Sequence, residues 1–154
     1  MSILETDTLN ENQKQQLSGL WNSVYPENVA YHSLAAFEEY LAGLESVRHL
    51  LLVDPDLKIH GWAFSFNREG ERWFAILLDA SIQGKGMGRL LMDKLKENEK
   101  DLCGWVVEHD DYKKMDGSPY RSPLRFYLNN GFKVCDDARF DSDKLSTIKI
   151  QWQH

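Results

Sequence analysis

Apolar residues recur along this chain with two alternating periods. Leu17, Leu20, Trp21 and Val24 fall at i, i+3, i+4 and i+7, the spacing of one buried stripe on a helix. Leu34, Phe37, Leu41 and Leu44 repeat that spacing after Ser33, a residue suited to capping a helix N-terminus. His49-Leu50-Leu51-Leu52-Val53 is instead a short apolar run stopped by Asp54-Pro55-Asp56, and it predicts a buried strand. Ile59 to Phe66 predicts a second strand, and Glu69-Gly70 a hairpin-like turn into a third over residues 72–79. Met87, Leu90, Leu91 and Leu95 line one face of a helix expected to end near Lys100. Beyond it lie a short strand at Trp105-Val106-Val107, a helix over residues 122–130, and a closing pair of strands at Phe132-Lys133-Val134 and residues 147–152. Such alternation without internal repeats predicts one α/β domain, a mixed sheet with helices on both faces.

The helix after the third strand opens on Gln83-Gly84-Lys85-Gly86-Met87-Gly88-Arg89. A strand, a glycine-rich turn and a helix N-terminus together make a device for holding phosphate. Glycines lack Cβ atoms, so backbone N–H groups can converge on an anion, and the helix start adds unpaired donors and a positive dipole end. Spacing separates the versions of this device. A P-loop needs four residues before Gly-Lys and then Ser or Thr for magnesium, whereas Gly84-Lys85 is followed by Gly86. The dinucleotide fingerprint needs G-x-G-x-x-G, but its third glycine would fall on Arg89 or Leu91. The pattern Gln/Arg-x-x-Gly-x-Gly/Ala is the one met, by Gln83, Gly86 and Gly88.

Composition narrows the setting. The 154 residues suit one domain with a single core, and the 42% apolar content is ordinary. No apolar run reaches membrane-spanning length, so no membrane partner is expected. Met1 to Glu5 carries no basic segment before an apolar one, so no signal peptide is expected. Cys103 and Cys135 lack metal spacing and make no disulfide framework, which fits reduced structural thiols, a cytoplasmic location and no bound metal. The net charge of −6 carries no nucleic-acid footprint. It mildly favours a cationic partner and otherwise serves solubility. Ser122-Pro123 is expected to open the helix over 122–130, with serine as cap and proline at its first position. Asn130-Gly131 ends it. The segment from Glu108 to Arg121, carrying both signs of charge with Tyr112 and Tyr120, reads equally as a solvated connection or a functional lid.

The glycine pattern after an apolar strand resembles the coenzyme A pyrophosphate loop of the GNAT superfamily of N-acetyltransferases. A second segment, Ser122-Pro123-Leu124-Arg125-Phe126-Tyr127-Leu128-Asn129-Asn130-Gly131-Phe132, is similar to the family's final helix and turn. The resemblance covers residues 48–152 of the domain spanning 1–154, with residues 1–47 fitting as variable N-terminal helices. It implies the family's single-domain fold with a centrally splayed sheet. It also implies transfer of an acetyl group from acetyl-CoA, without metal, to a primary amine on a small molecule or peptide. Two other readings compete: a non-catalytic acyl-CoA-binding or sensor domain on the same fold, and a nucleotide-binding regulatory domain disfavoured by the glycine spacing. A homodimer stays open.

On that resemblance Gln83, Gly84, Lys85, Gly86, Met87, Gly88 and Arg89 hold the pyrophosphate. The backbone at Leu77 and Leu78, where the family's strand bulges, lies beside the pantetheine. Tyr127 aligns with the general acid that protonates the leaving sulfur. A phenol stays protonated at neutral pH, above the thiol it serves, and Tyr112 or Tyr120 is the alternative donor. Glu71, Glu108 and His109 are the candidates for the base, an imidazole having a suitable ordinary pKa near 6.5. Asp79 is expected to cap the turn. Tyr25, Tyr31 and His32 are the candidates for the acceptor pocket, with Trp21 packing the helical layer.

Overall fold

The computed structural model describes residues 1–154. The chain runs β1 (Ser2–Thr6), α1 (Glu11–Val24), α2 (Leu34–Ala42), β2 (Glu45–Val53), β3 (Ile59–Arg68), β4 (Glu71–Leu78), α3 (Met87–Lys96), β5 (Asp101–Val106), α4 (Leu124–Asn129), β6 (Lys133–Asp141) and β7 (Ser146–Gln153). All seven strands join one sheet in the order β1-β2-β3-β4-β5-β7-β6. Every pair is antiparallel except β4 with β5. No helix is long and apolar enough to cross a membrane.

Strand alternation sends side chains to opposite faces, and each face meets two helices. On one, Trp62, Phe64, Trp73 and Leu77 pack under Leu17, Leu20 and Trp21 of α1 and Phe37 of α2. On the other, Leu50, Leu52, Ala63 and Phe74 pack under Leu91, Met92 and Leu95 of α3 and Tyr127 of α4. Burying each large apolar side chain contributes about 1.5–3 kcal/mol, so both helical layers are anchored to the central strands. A charged network ties α3 to the sheet. Glu99 is 8% exposed and receives Arg72 at 3.2 Å, Arg48 at 3.6 Å and the Ser65 hydroxyl at 2.9 Å.

Ser33 caps α2 as expected, its Oγ accepting from the Ala36 N–H at 3.1 Å. Helix α1 starts on a capping box. Asn10 Oδ1 accepts from the Gln13 N–H at 2.8 Å, and Gln13 Oε1 accepts from the Asn10 N–H at 2.9 Å. Three expectations need correction. Residues 1–47 are not helices alone, because Ser2–Thr6 forms an edge strand along β2, from Ser2↔Val53 to Thr6↔His49. Its sequence shows no apolar alternation because Ile3 is its one apolar side chain packed on the core, while Leu4 is exposed. Helix α3 ends at Lys96 rather than near Lys100, since Asp101 already begins β5. Helix α4 begins at Leu124, after both Ser122 and Pro123. The Ser122 hydroxyl donates to the Val107 carbonyl and accepts from the Leu124 N–H at 3.3 Å. It therefore pins the incoming segment to the end of β5 as well as opening the helix.

Candidate active site

Strands β4 and β5 share a single register pair, Trp73↔Cys103. Beyond it the two strands part, and a cavity of about 630 Å³ fills the gap. Phe74, Ala75, Ile76 and Leu78 line one wall and Gly104, Trp105 and Val106 the other. The backbone of β4 faces this opening in a definite phase. Asp79 donates its N–H to the His60 carbonyl at 2.8 Å, and the β3–β4 register runs unbroken from Gly61↔Leu78 to Arg68↔Glu71. Odd-numbered residues of β4 therefore hydrogen-bond to β3, and the amides of Ile76 and Leu78 point toward the parted side.

This geometry corrects two expectations. The strand carries no bulge; the divergence of β4 from β5 exposes its amides instead. Leu77 pairs its backbone with β3 and buries its side chain on the α1 face, so Ile76 stands beside Leu78 in the cavity wall.

The glycine turn closes the end of the cleft. Asp79 Oδ1 accepts from the Ser81 N–H at 3.2 Å, and Gln83 Nε2 donates to the Leu78 carbonyl at 3.0 Å. These bonds hold the turn against the strand end. Gly84 and Gly86 have φ of 77° and 80°, with open space where a Cβ would stand, a left-handed conformation costly for other residues. Gly88 is held by contact instead: a Cβ there would lie 3.0 Å from Leu78 Cδ1 and 3.1 Å from Phe126 Cε1. From Gly84 to Arg89, none of the six N–H groups has an acceptor within the protein. Gln83, Gly84, Gly86, Gly88 and Arg89 line the cavity; the side chains of Lys85 and Met87 do not. Met87 packs toward the core under α3.

The segment from Val107 to Pro123 folds over the opposite side, with an antiparallel bridge between Lys113 and Pro119. It brings Lys114 and Arg121 to the cavity, cations that the mixed charge of this segment concealed. With Arg89 they are the charged residues lining it. Consecutive free N–H groups, open space at two left-handed glycines and three cations suit the pyrophosphate and phosphate of a coenzyme A molecule. No group of three or more His, Cys, Asp or Glu side chains is placed to hold a metal ion.

Tyr127 of α4 faces the cavity, 7% exposed. Its ring packs on Phe74 at 5.6 Å, Phe126 at 5.3 Å and Phe132 at 5.7 Å, while its hydroxyl makes no hydrogen bond within the protein. Burial, and then the neighbouring Tyr120, push its pKa far above the ordinary phenol value. Burial also raises Tyr120 to about 12 and Tyr25 well above its usual range, with Tyr127 and Tyr120 adding to the latter. Three phenols thus meet in the cleft, each held protonated. Tyr112 does not join them, because its hydroxyl accepts from the Ser146 N–H at 2.9 Å.

The base candidates fall elsewhere. Glu71 sits at the far end of β4, its carboxylate held by Lys149 Nζ at 2.9 Å, and that bond lowers its pKa. Glu108 is paired with Arg139. His109 accepts from the Asp111 N–H at 3.1 Å and packs on Tyr112 at 4.8 Å. None of the three lines the cleft, and no Asp, Glu or His does. Tyr31 is built into the aromatic layer against Trp21 and Phe37, and His32 lies exposed outside both cavities. Tyr25 does reach the cleft.

A second cavity of about 200 Å³ lies across the sheet under α1. It shares Tyr25, Phe74, Ala75, Trp105 and Tyr120 with the first, so the two meet where β4 and β5 part. Its remaining walls include Trp21, Tyr40, Phe66 and Trp73, with Arg68 as the lone charged residue. Nothing contiguous in the chain marks this junction, which joins Tyr25 after α1, Phe74 and Ala75 of β4, Trp105 of β5 and Tyr120 of the segment after it.

The family model for an acetyltransferase (GNAT) domain matches residues 8–153. No curated protein matches the chain significantly. Among solved structures, an aminoglycoside 6'-N-acetyltransferase complexed with coenzyme A superposes with a TM-score of 0.74 at 17% identity, over 99% of this chain and 97% of that one. An aminoglycoside 6'-N-acetyltransferase from Enterococcus faecium gives 0.70 at 17%, over 99% and 97%. A spermidine N-acetyltransferase chimera from Vibrio cholerae gives 0.69 at 15%, over 99% and 96%. At these identities the likeness is one of fold.

Proposed function

The chain belongs to the GNAT acetyltransferase family, and we propose that it transfers an acetyl group from acetyl-CoA to a primary amine. The observation that carries this reading is the convergence at one cleft of six unpaired N–H groups, the exposed amides of β4 and the free hydroxyl of Tyr127.

The turn from Gln83 to Arg89 holds the pyrophosphate through backbone donors, and Arg89, Lys114 and Arg121 supply positive charge around it. The thioester, lying along the parted edge of β4, supplies the acyl carbon. The Ile76 and Leu78 amides stand on that edge as donors to the acyl oxygen, where negative charge develops during transfer. The amine nitrogen brings its lone pair to the acyl carbon. A C–N bond forms, the C–S bond breaks, and the sulfur leaves with the bonding pair. Tyr127 gives that sulfur a proton and recovers one from solvent; the amine, having formed the new bond, loses one to solvent. The products are the amide and free coenzyme A.

Neutral amine reaches the cleft already deprotonated by water, because no carboxylate or imidazole lines either cavity. This reading replaces Glu71, Glu108 and His109 with solvent as the proton acceptor.

The test is release of free thiol from acetyl-CoA with a panel of primary amines. Amine-dependent release supports transfer. Tight coenzyme A binding with no release under any amine would leave the binding-domain reading in its place.

A further inference from the structure

The second cavity carries an unusual combination of groups. Its walls are aromatic, and it holds no carboxylate. Arg68, solvent-exposed at its edge, makes no salt bridge, and its guanidinium lies 4.9 Å over the Phe66 ring. Trp73, 5% exposed and lining the same cavity, has an indole N–H that is buried without an acceptor. Buried donors are nearly always paired, so the orphaned Trp73 indole N–H marks a place for an acceptor atom supplied by a ligand, with the Arg68 guanidinium at the edge of the same cavity.

Register gives the spacing. The two cavities join at Ala75 and Trp105, the junction at which the proposed reaction would bring the nitrogen to the thioester. Phe66 stands opposite Trp73, and Phe64 opposite Ala75. The Phe66 position therefore stands two strand residues, about 7 Å along the sheet, from the junction, and the Arg68 guanidinium stacks 4.9 Å over its ring.

On the reading that the chain transfers acetyl groups, we infer that its acceptor is a small amine with an apolar, preferably aromatic body. It carries an anionic group about 7 Å from the nitrogen, and Arg68 and the Trp73 N–H hold that anion. The aromatic walls take the body, and the guanidinium supplies a charge-assisted bond to a carboxylate. A polycation fits poorly, since its second ammonium would meet Arg68 and find no carboxylate to replace its water. The acyl step keeps its balance: the amine nitrogen gains the acetyl carbon and loses one proton, and the carboxylate stays unchanged.

The probes are 4-(aminomethyl)benzoate, whose nitrogen and carboxylate stand at opposite ends of one ring, benzylamine, which lacks the carboxylate, and spermidine. Binding to the protein saturated with coenzyme A is read by tryptophan fluorescence, since Trp21, Trp73 and Trp105 line the cavity. Turnover is read by thiol release from acetyl-CoA. The acid should bind and turn over best among the three. Arg68→Gln should weaken its binding and kcat/KM by about 10- to 100-fold, the range of a bond to a charged group, and leave benzylamine unchanged. Trp73→Phe, which removes the indole N–H and part of the wall, should weaken the acid more than it weakens benzylamine. Retained coenzyme A binding in both variants shows that the fold is intact.

The inference is overturned if the acid fails to bind, if spermidine or benzylamine is preferred, or if Arg68→Gln weakens acid and benzylamine alike. Binding of the acid that depends on Arg68, without thiol release from any amine, would uphold the ligand class and refute acetyl transfer. Thiol release with spermidine preferred would do the reverse.

Discussion

Replacing Tyr127 by Phe separates catalysis from stability, because the two effects have opposite signs. The ring keeps its contacts with Phe74, Phe126 and Phe132 at 5.3–5.7 Å centroid spacing. Only the hydroxyl goes, and that hydroxyl forms no hydrogen bond within the protein. A buried polar group without a partner costs about 1–3 kcal/mol, and partial access to the cavity reduces this here. Removing it should leave the melting temperature unchanged or raise it by a few degrees, at about 2–4 °C per kcal/mol for a chain of this size. Turnover should move the other way. Losing the proton donor to the leaving sulfur should lower kcat by about 100-fold, equivalent to about 2.7 kcal/mol of barrier. The KM for acetyl-CoA should change little, since the turn from Gln83 to Arg89 is untouched. Thermal denaturation and thiol release on the same preparations check both halves. Full turnover by Tyr127→Phe would refute the acid assignment and shift it to Tyr120 or solvent. A fall in both turnover and melting temperature would show that the hydroxyl serves structure.

With no enzymic base in the cleft, kcat/KM should rise tenfold per pH unit from about pH 6 to the pKa of the amine, about 10 for a lysine-like amine. A plateau beginning near pH 6.5 would instead assign the proton to an imidazole. Gly86→Val should weaken coenzyme A binding by more than tenfold, measured by calorimetry, because it strains a backbone at φ of 80° and fills the space before the free N–H groups. Lys85→Ala, removing a side chain outside the cavity, should change binding by less than about 1 kcal/mol. Glu99→Ala leaves two guanidinium groups and the Ser65 hydroxyl short of a partner. It should cost about 3 kcal/mol, the low end for breaking a buried pair because Arg48 and Arg72 keep other acceptors. The expected drop in melting temperature is about 6–12 °C.

What could be read from the sequence was what is local in the chain. The turn from Gln83 to Arg89 declares itself because its glycine positions, its preceding strand and its following helix are contiguous. The Ser33 cap and the end of α4 at Asn130-Gly131 are legible for the same reason. The pairing of β1 with β2 was hidden, since Ile3 is the one apolar side chain of β1 packed on the core and Leu4 is exposed. The base candidates show the opposite failure. Glu71, Glu108 and His109 have suitable chemistry, but strand direction carries Glu71 to the far end of β4, and Arg139 and the Asp111 N–H engage the other two. Arg68, Lys114 and Arg121 passed unnoticed because a lone cation has no signature until folding places it at a cavity edge.

The missing base and the raised phenols have one physical origin. Both cavities are walled mainly by aromatic and aliphatic side chains at their junction. Burial there disfavours any charged form, so it holds Tyr25, Tyr120 and Tyr127 as neutral phenols. The same desolvation acts on an entering amine, whose ammonium form it destabilises and whose neutral form it favours. In the proposed reaction this environment would favour the neutral amine at the nitrogen, and at the sulfur it would keep a proton available on Tyr127. A carboxylate at the junction would oppose this arrangement by stabilising the ammonium it was meant to deprotonate. Arg68 is consistent with the same logic: at the edge of the second cavity, it can hold the far end of an acceptor without placing a carboxylate near the reacting nitrogen.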